Sequence, residues 1–247
     1  RLTESGLSIT EWRPITGVPP PIGQAAWEAE FAKYRQIPEF RIEAPTMTVD
    51  GFKRIFFWEY LHRVWARVVG LAIAVPALIG LARRWFAPPV RARVVTLALL
   101  TAGQGALGWF MVKSGLTERT DVSQYRLAAH LSLALVIFGI ALWTAADLLA
   151  SRERIGSDRI HRQACWTLVG VILAVLAGAF VAGTNAGKVY NEFPLMAGRV
   201  VPEGYLSLRP AWRNFFDNVA TVQFNHRLLA ILVVAAAGWL AVRLGQE

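Results

Sequence analysis

The twenty residues 164–183, ACWTLVGVILAVLAGAFVAG, decide the fold class of this chain. They carry no charged side chain and show no alternation of polar and apolar positions. A helix rises about 1.5 Å per residue, so about 20 such residues cross a hydrocarbon layer of about 30 Å. A strand of a membrane β-barrel would instead alternate in polarity over about ten residues. The stretch therefore predicts a transmembrane α-helix.

Four other stretches have the same apolar character, and the five predicted spans cover residues 57–82, 94–112, 127–146, 164–182 and 219–242. Each is predicted to be helical because backbone groups inside a bilayer must satisfy their hydrogen bonds within the segment. The 247 residues are 55% hydrophobic and 17% charged, whereas about 25% of the residues of a soluble domain are charged. The sequence thus predicts an all-α, polytopic transmembrane helical bundle.

The net charge of +9 is explained by membrane topology and not by a nucleic-acid partner. Arginines gather in two short loops between apolar runs, as the positive-inside bias predicts for cytoplasmic loops. They are Arg83, Arg84, Arg91 and Arg93 in one loop and Arg152, Arg154, Arg159 and Arg162 in the next. Residues 1–55, 113–126 and 183–218 are then outside. The predicted partner is the lipid bilayer, with no nucleic acid.

The first outer segment, residues 1–55, is rich in proline and is predicted to be a loop. Within it, Trp27, Phe31 and Tyr34 recur at helical spacing. This spacing indicates a short amphipathic helix, which either lies on the membrane face or is a solvated helix within the loop.

An internal repeat links the two ends of the chain. EYLHRVWA at 59–66 aligns with QFNHRLLA at 223–230, and each copy leads into an apolar run with a basic end. Upstream, TESGLS at 3–8 precedes the first copy and TNAGKV at 184–189 precedes the second. The repeat predicts two related halves. Residues 1–150 would hold the outer loop 1–55 and three membrane helices, and residues 151–247 would hold two.

Histidines near the outer ends of these helices are candidate haem ligands. His62 and His130 enter the membrane from the same predicted side, and two imidazoles at equal depth can hold one iron from opposite faces. A single histidine in a helix is more often a core residue. His226 repeats the setting of His62, which favours the ligand interpretation.

Charged residues accompany these histidines. Glu59 is one helical turn from His62, and ionisable groups at membrane depth mark functional sites or pair with each other. Two interpretations stay open for Glu59: it acts in chemistry, or it pairs with Arg63 and Arg67 and pins the helix end. Arg63 and Arg227 could pair with haem propionates or extend to headgroup phosphates.

The two copies differ where Glu59 is replaced by Gln223. A carboxylate can move protons, whereas an amide can only hydrogen-bond. The first site is therefore predicted to be reactive and the second to hold a group without changing it.

Five segments, in this order, resemble those of haem A synthases, the family that includes the bacterial enzyme and its mitochondrial counterpart in cytochrome oxidase assembly. The segments are RLTESGLSITEWRPITGVPP at 1–20, EYLHR at 59–63, RLAAHLSLAL at 126–135, VAGTNAGKVYNEFPLM at 181–196 and FNHR at 224–227. The resemblance covers nearly the whole chain. It implies eight membrane helices in two four-helix halves, of which this sequence contains five.

The resemblance also implies the chemistry. The first half takes haem O as substrate and oxidises a methyl group to the formyl group of haem A by successive hydroxylations, and the second half keeps a b-type haem. Carried over by motif, His62 and His130 are ligands of the substrate iron, Glu59 is its catalytic partner, and His226 is one ligand of the prosthetic haem.

The implied location is the bacterial inner membrane, or the mitochondrial inner membrane in a eukaryote, with haem O synthase and cytochrome oxidase assembly factors as partners. Some relatives carry a cysteine pair in outer loops. The only cysteine here is Cys165, within an apolar run, so neither an intrachain disulfide nor a thiol-dependent electron route is expected.

Two other functions are consistent with parts of the pattern. The first is a bis-histidine b-type cytochrome that only transfers electrons. Such a protein needs no carboxylate at its haem, so the presence of Glu59 at one of the two sites argues against it. A transporter would bind its substrate near the midplane between interrupted helices, whereas the polar residues here cluster at the outer ends.

The spacing of the histidines predicts that the second haem site is incomplete in this sequence. His130 follows His62 by 68 positions, so the partner of His226 is expected near position 294, beyond Glu247. One membrane helix is likewise expected before Arg1.

Overall fold

The computed structural model describes residues 5–13, 16–118, 122–149 and 157–246. Apart from an isolated bridge between Met196 and Arg199, the regular structure of these residues is helical. The elements are α1 Gln24–Tyr34, α2 Pro38–Glu43, α3 Val49–Ala82, α4 Pro88–Glu118, α5 Gln124–Leu149, α6 Asp158–Gly183, α7 Ala186–Val189, the 3₁₀ helix Ala211–Phe215 and α8 Val219–Leu244. The predicted all-α class is confirmed.

Five helices are long and apolar enough to cross a membrane, namely α3, α4, α5, α6 and α8. They coincide with the five predicted spans, which are therefore confirmed. Arg91 and Arg93, predicted to lie in a loop, fall within the first turns of α4. Arg152 and Arg154 lie outside the described residues, as does the predicted boundary between the halves at 150 and 151.

Helix α3 begins eight residues before the predicted span, so the prediction that residues 49–55 belong to a loop is wrong. Its 34 residues extend about 50 Å, which is well beyond a hydrocarbon layer of about 30 Å. Thr48 caps the start of the helix by accepting a hydrogen bond from the Gly51 N–H. The extension is stable because Phe52 is fully buried and Phe56 nearly so.

The described residues form two compact units. The first contains the residues up to 126 together with 133–148, and the second contains residues 127–132 together with those from 149 onward.

In the first unit an aromatic cluster joins the outer segment to the start of α3. Tyr34 and Phe52 are 1% and 0% exposed, and their ring centroids are 5.2 Å apart. Trp27 and Phe31 of α1 pack against the same cluster. The helix predicted from the aromatic spacing is therefore present, but its apolar side faces α3 and not a membrane surface.

In the second unit α6 packs along α8, and asparagine side chains hold the loop 190–218 over the start of α8. The Asn218 carboxamide oxygen accepts from the Thr221 N–H and its amide nitrogen donates to the Gly204 carbonyl. Asn214 is fully buried and donates to the Leu208 carbonyl. This ordered loop fixes the outer end of α8, where His226 lies.

Candidate functional site

Glu59 lies in the first unit, on the part of α3 that faces the outer segment. It is 7% exposed. Its Oε2 accepts hydrogen bonds from the Ser8 hydroxyl at 2.7 Å and from the Ile9 N–H at 2.8 Å. Its Oε1 accepts from Arg63 Nη2 at 2.6 Å and Nε at 3.1 Å. Both carboxylate oxygens are thus fully used as acceptors, as suits an ionised group.

Arg63 extends this contact to the backbone of the outer segment. Its Nη2 donates to the Ile9 carbonyl at 2.9 Å and its Nη1 to the Glu11 carbonyl at 3.1 Å. One turn further along α3, Arg67 donates to the Arg13 carbonyl at 3.0 Å. The polar face of α3 therefore holds residues 8–13, and these contacts fit the interpretation in which Glu59 pairs with Arg63 and pins this part of the helix.

The second copy repeats this arrangement in the second unit. Gln223 is 7% exposed, and its amide oxygen, turned towards Arg227, accepts from Arg227 Nη2 and Nε at 3.3 Å each. Arg227 Nη2 also donates to the Tyr190 carbonyl at 2.8 Å, and Nη1 to the Leu195 carbonyl at 3.0 Å.

The repeat is thus present in hydrogen bonds as well as in letters. When TESGLS is aligned with TNAGKV, Ile9 and Tyr190 take the same place, and each accepts from Nη2 of the arginine that follows a histidine. Ser8 aligns with Val189, which has no hydroxyl. The first copy therefore has a carboxylate with a hydroxyl beside it, where the second has an amide and an apolar side chain.

His62 lies next to the hydrogen-bonded pair on α3, slightly further around the helix. Three residues of an α-helix turn about 300°, which places His62 about 60° around the helix from Glu59. Its side chain is exposed. The imidazole is therefore accessible to a ligand that approaches α3 beside the Glu59–Arg63 pair.

His226 is half-buried between α8 and α6. Its Nδ1 is buried and has no hydrogen-bond partner among the described residues. Gly178 of α6 lies directly against the ring, and a Cβ added there would be 3.1 Å from the His226 Cε1. An imidazole with an unsatisfied buried nitrogen, in a space that a methyl group would fill, suits a metal ligand.

A small cavity adjoins the Glu59–Arg63 pair. It has a volume of about 220 Å³ and is lined by residues 9–12, Arg63 and the end of α4, including Trp109 and Lys113. Pockets for drug-sized ligands have roughly 300–1,000 Å³. The cavity is too small to enclose a porphyrin, and it could admit only the edge of one.

An ion pair at this cavity holds the outer segment to α1. Glu11 bonds to Lys33 at 3.0 Å, and Lys33 also bonds to Glu30. The hydrogen bond from Lys33 holds the pKa of the Glu11 carboxyl below its ordinary value. Burial lowers the pKa of Lys33, but its hydrogen bonds to Glu11 and Glu30 outweigh burial and leave this pKa raised.

Comparison with known proteins decides the family. The family model described as "Cytochrome oxidase assembly protein" matches residues 1–247. The "Heme A synthase" of Parvibaculum lavamentivorans is 47% identical over 97% of this chain and 70% of that protein. That of Chelativorans sp. is 46% identical over 98% of this chain and 67% of that protein. No solved structure matches the chain.

The likeness extends to mitochondria: mouse "Heme A synthase COX15" is 46% identical over 96% of this chain and 60% of that protein. This chain belongs to the haem A synthase family. The resemblance inferred from five ordered segments is confirmed, and so is the multi-pass membrane location. A haem A synthase converts haem O to haem A, so the predicted class of enzyme, an oxidoreductase, is confirmed as well.

The family's candidate ligands do not all meet within one unit. His62 belongs to the first unit, whereas His130, half-buried on α5, belongs to the second. Their shared ligation of one iron stays a prediction. The pairing of Arg63 and Arg227 with haem propionates also stays a prediction, since the described contacts of both arginines are with protein groups.

Sequence reasoning missed Ser8, Ile9 and Gly178. Ser8 and Ile9 bond to Glu59 from about 50 positions away, and no local pattern reports such contacts. One signal was available for Ser8: it lies in TESGLS, one of the segments that the repeat aligns. Gly178 has no comparable signal, because a glycine in a membrane helix is common.

Proposed function

We propose that this chain oxidises a methyl group of haem O to the formyl group of haem A and that the Glu59–His62 end of α3 carries this chemistry. One observation carries the proposal. The two copies of the repeat hold their outer segments through the same arginine contacts, yet they differ in the group beside that arginine, Glu59 in one and Gln223 in the other. The arginine contacts are the same in both copies, but only Glu59 can take up and release a proton. This difference fits a reactive site in the first copy and a site that only binds its haem in the second.

At the first site, His62 would hold the iron of the substrate and Glu59 would handle protons beside it; ligation of the same iron by His130 stays a prediction. The Glu59 carboxylate accepts a bond from the Ser8 hydroxyl at 2.7 Å. A hydroxyl both donates and accepts, so Ser8 can turn to accept from Glu59 when the carboxylate takes up a proton. Ser8 therefore allows Glu59 to change its protonation state without losing its hydrogen bond.

At the second site, His226 would hold a b-type haem. The unsatisfied nitrogen of His226 and the space left by Gly178 support this role. Haem b, when bound, supplies one-electron redox chemistry. Arg227 holds the Tyr190 and Leu195 carbonyls over this end of α8.

The test uses the whole protein in membranes supplied with haem O, with extracted haems separated and quantified. The variant His62→Ala should lose haem O binding and haem A formation but keep haem b. The matched variant His226→Ala should lose haem b. Haem A formation at the wild-type rate by His62→Ala would refute the assignment of the first site.

Membership of the haem A synthase family argues against the alternative of a bis-histidine cytochrome that only transfers electrons. The contacts of Glu59 by themselves fit either function, because a carboxylate that pins a loop needs no chemical role. The same experiment separates the two functions: a cytochrome would return the supplied haem O unchanged, while its haem is reduced and reoxidised normally.

A further inference from the structure

Helix α6 presents a row of small residues to α8 at the level of His226. Gly170, Ala174 and Gly178 recur every four residues, so they share one face of the helix. Small residues on such a face allow two membrane helices to approach closely. Close helix packing accounts for the row as a whole. At Gly178, however, the neighbour on α8 is the His226 ring and not an aliphatic side chain.

Gly178 is the position of this row that contacts His226. A Cβ added there would lie 3.1 Å from the ring Cε1, 3.6 Å from Nε2 and 3.7 Å from Nδ1. A distance of 3.1 Å is shorter than ordinary van der Waals contact, so the ring would have to move by a few tenths of an ångström.

The other glycines described in the spanning helices either have open space where a side chain would lie or meet a residue other than histidine. Additions of Cβ at Gly70, Gly103, Gly105, Gly139 or Gly238 would meet no atom within 4 Å. Gly170 offers the closest comparison, because its added Cβ would lie 3.1 Å from a methyl group of Val233 on α8. Gly170 and Gly178 therefore have the same clearance on the same interface, and they differ in whether the neighbour is an aliphatic side chain or the imidazole.

We infer that Gly178 is a positioning residue for His226: its missing side chain sets where the imidazole lies. A methyl group at position 178 displaces the ring from the geometry in which it binds iron. The predicted effect on haem content and spectrum rests on the proposed haem site at His226. The contact between Gly178 and the ring does not depend on haem.

The first experiment compares Gly178→Ala with Gly170→Ala in the whole protein. Groups that orient a metal ligand typically change affinity by roughly tenfold or more when altered. We expect Gly178→Ala to lose b-type haem by about that factor, or to shift the low-spin resonance of the haem it retains. Gly170→Ala should keep both the content and the spectrum. Equal effects of the two variants would overturn the inference, because both would then reflect helix packing.

The second experiment needs no haem, and it remains informative if the Gly178→Ala variant is unstable. If the added methyl group collides with the imidazole, removing the ring should relieve it. In protein without haem, His226→Ala should restore most of the melting temperature that Gly178→Ala loses, and it should restore none of that lost by Gly170→Ala. Additive effects in both pairs would refute the contact.

The outcomes separate this inference from the proposed function. If His226→Ala alone leaves the b-type haem unchanged, the proposed haem site is wrong, while the melting temperatures still decide the contact. If His226→Ala removes the haem but Gly178→Ala behaves like Gly170→Ala, the haem site stands and the positioning role fails.

Discussion

Glu59 and Gln223 are a natural comparison of a carboxylate and an amide in one setting. Both are 7% exposed, and both lie four residues before an arginine that bonds to them and to an outer backbone carbonyl. This difference could be predicted from the sequence because Glu59 and Gln223 occupy aligned positions of the repeat. It could not predict that Ser8 and Ile9 bond to Glu59, because these contacts depend on how residues 1–55 fold back on α3.

Ser8 provides a test of whether Glu59 needs its hydroxyl partner. Ser8→Ala removes one neutral donor and leaves the Glu59 charge and its contact with Arg63 intact. The lost hydrogen bond should cost about 1.5–3 kcal/mol of stability, because its acceptor is a charged group. If the hydroxyl also accommodates the protonated carboxyl, the pH profile of haem A formation should shift as well. Ser8→Thr keeps the hydroxyl and is the control. An unchanged profile in Ser8→Ala would show that the hydroxyl only pins the segment.

The Glu11–Lys33 pair predicts how the outer segment responds to acid. The pKa of Glu11 is lowered from its ordinary 4.5, so its stabilising contribution is present above that value and is lost as the pH falls through the lower, folded pKa. The pair is partly exposed and should contribute at most about 1 kcal/mol. Proteolysis of residues 5–47 should therefore accelerate as the pH falls below 4.5. Lys33→Met should reduce this acid step without removing it, because Arg13 also pairs with Glu11, and a step of equal size in that variant would refute the role of Lys33.

At the scale of elements, hydrophobic length identified all five spanning helices, and tertiary packing decided where α3 begins. The cluster of Tyr34, Phe52 and Phe56 brings together residues that are distant in sequence. Aromatic spacing within residues 27–34 predicted the helix α1 but not the surface on which it packs. The spacing of apolar residues shows which side of a helix is apolar. Which element packs against that side depends on the rest of the chain.

Arg63 and Arg227 each hold one segment of backbone, which predicts the effect of replacing either arginine. A lysine keeps the charge but cannot make the forked hydrogen bonds of a guanidinium. Arg63→Lys should increase hydrogen exchange in residues 8–13, and Arg227→Lys should do so in residues 190–195. Each variant should leave the other segment unchanged, so the pair serve as controls for each other. Unaltered exchange in both segments would show that the arginines do not hold them.

At the scale of the whole molecule, membership of the haem A synthase family supplies the reaction, and the repeat supplies a division of labour between two sites. Composition and spacing predicted the membrane class, and ordered motifs predicted the family. The meeting of His62 with His130 stays a prediction, because one sequence fixes the ends at which the histidines lie but not which helices become neighbours in the bilayer.

The most direct test of this division is Glu59→Gln in the whole protein, with haem O, haem A and haem b quantified after extraction. Glutamine should fit because Gln223 fills the equivalent place against Arg227, so haem binding should persist. Loss of a positioned acid–base group costs roughly 100-fold or more in rate. The account predicts that haem O remains while haem A falls by about that factor, and that Gln223→Glu continues to form haem A. Undiminished haem A formation by Glu59→Gln would contradict it.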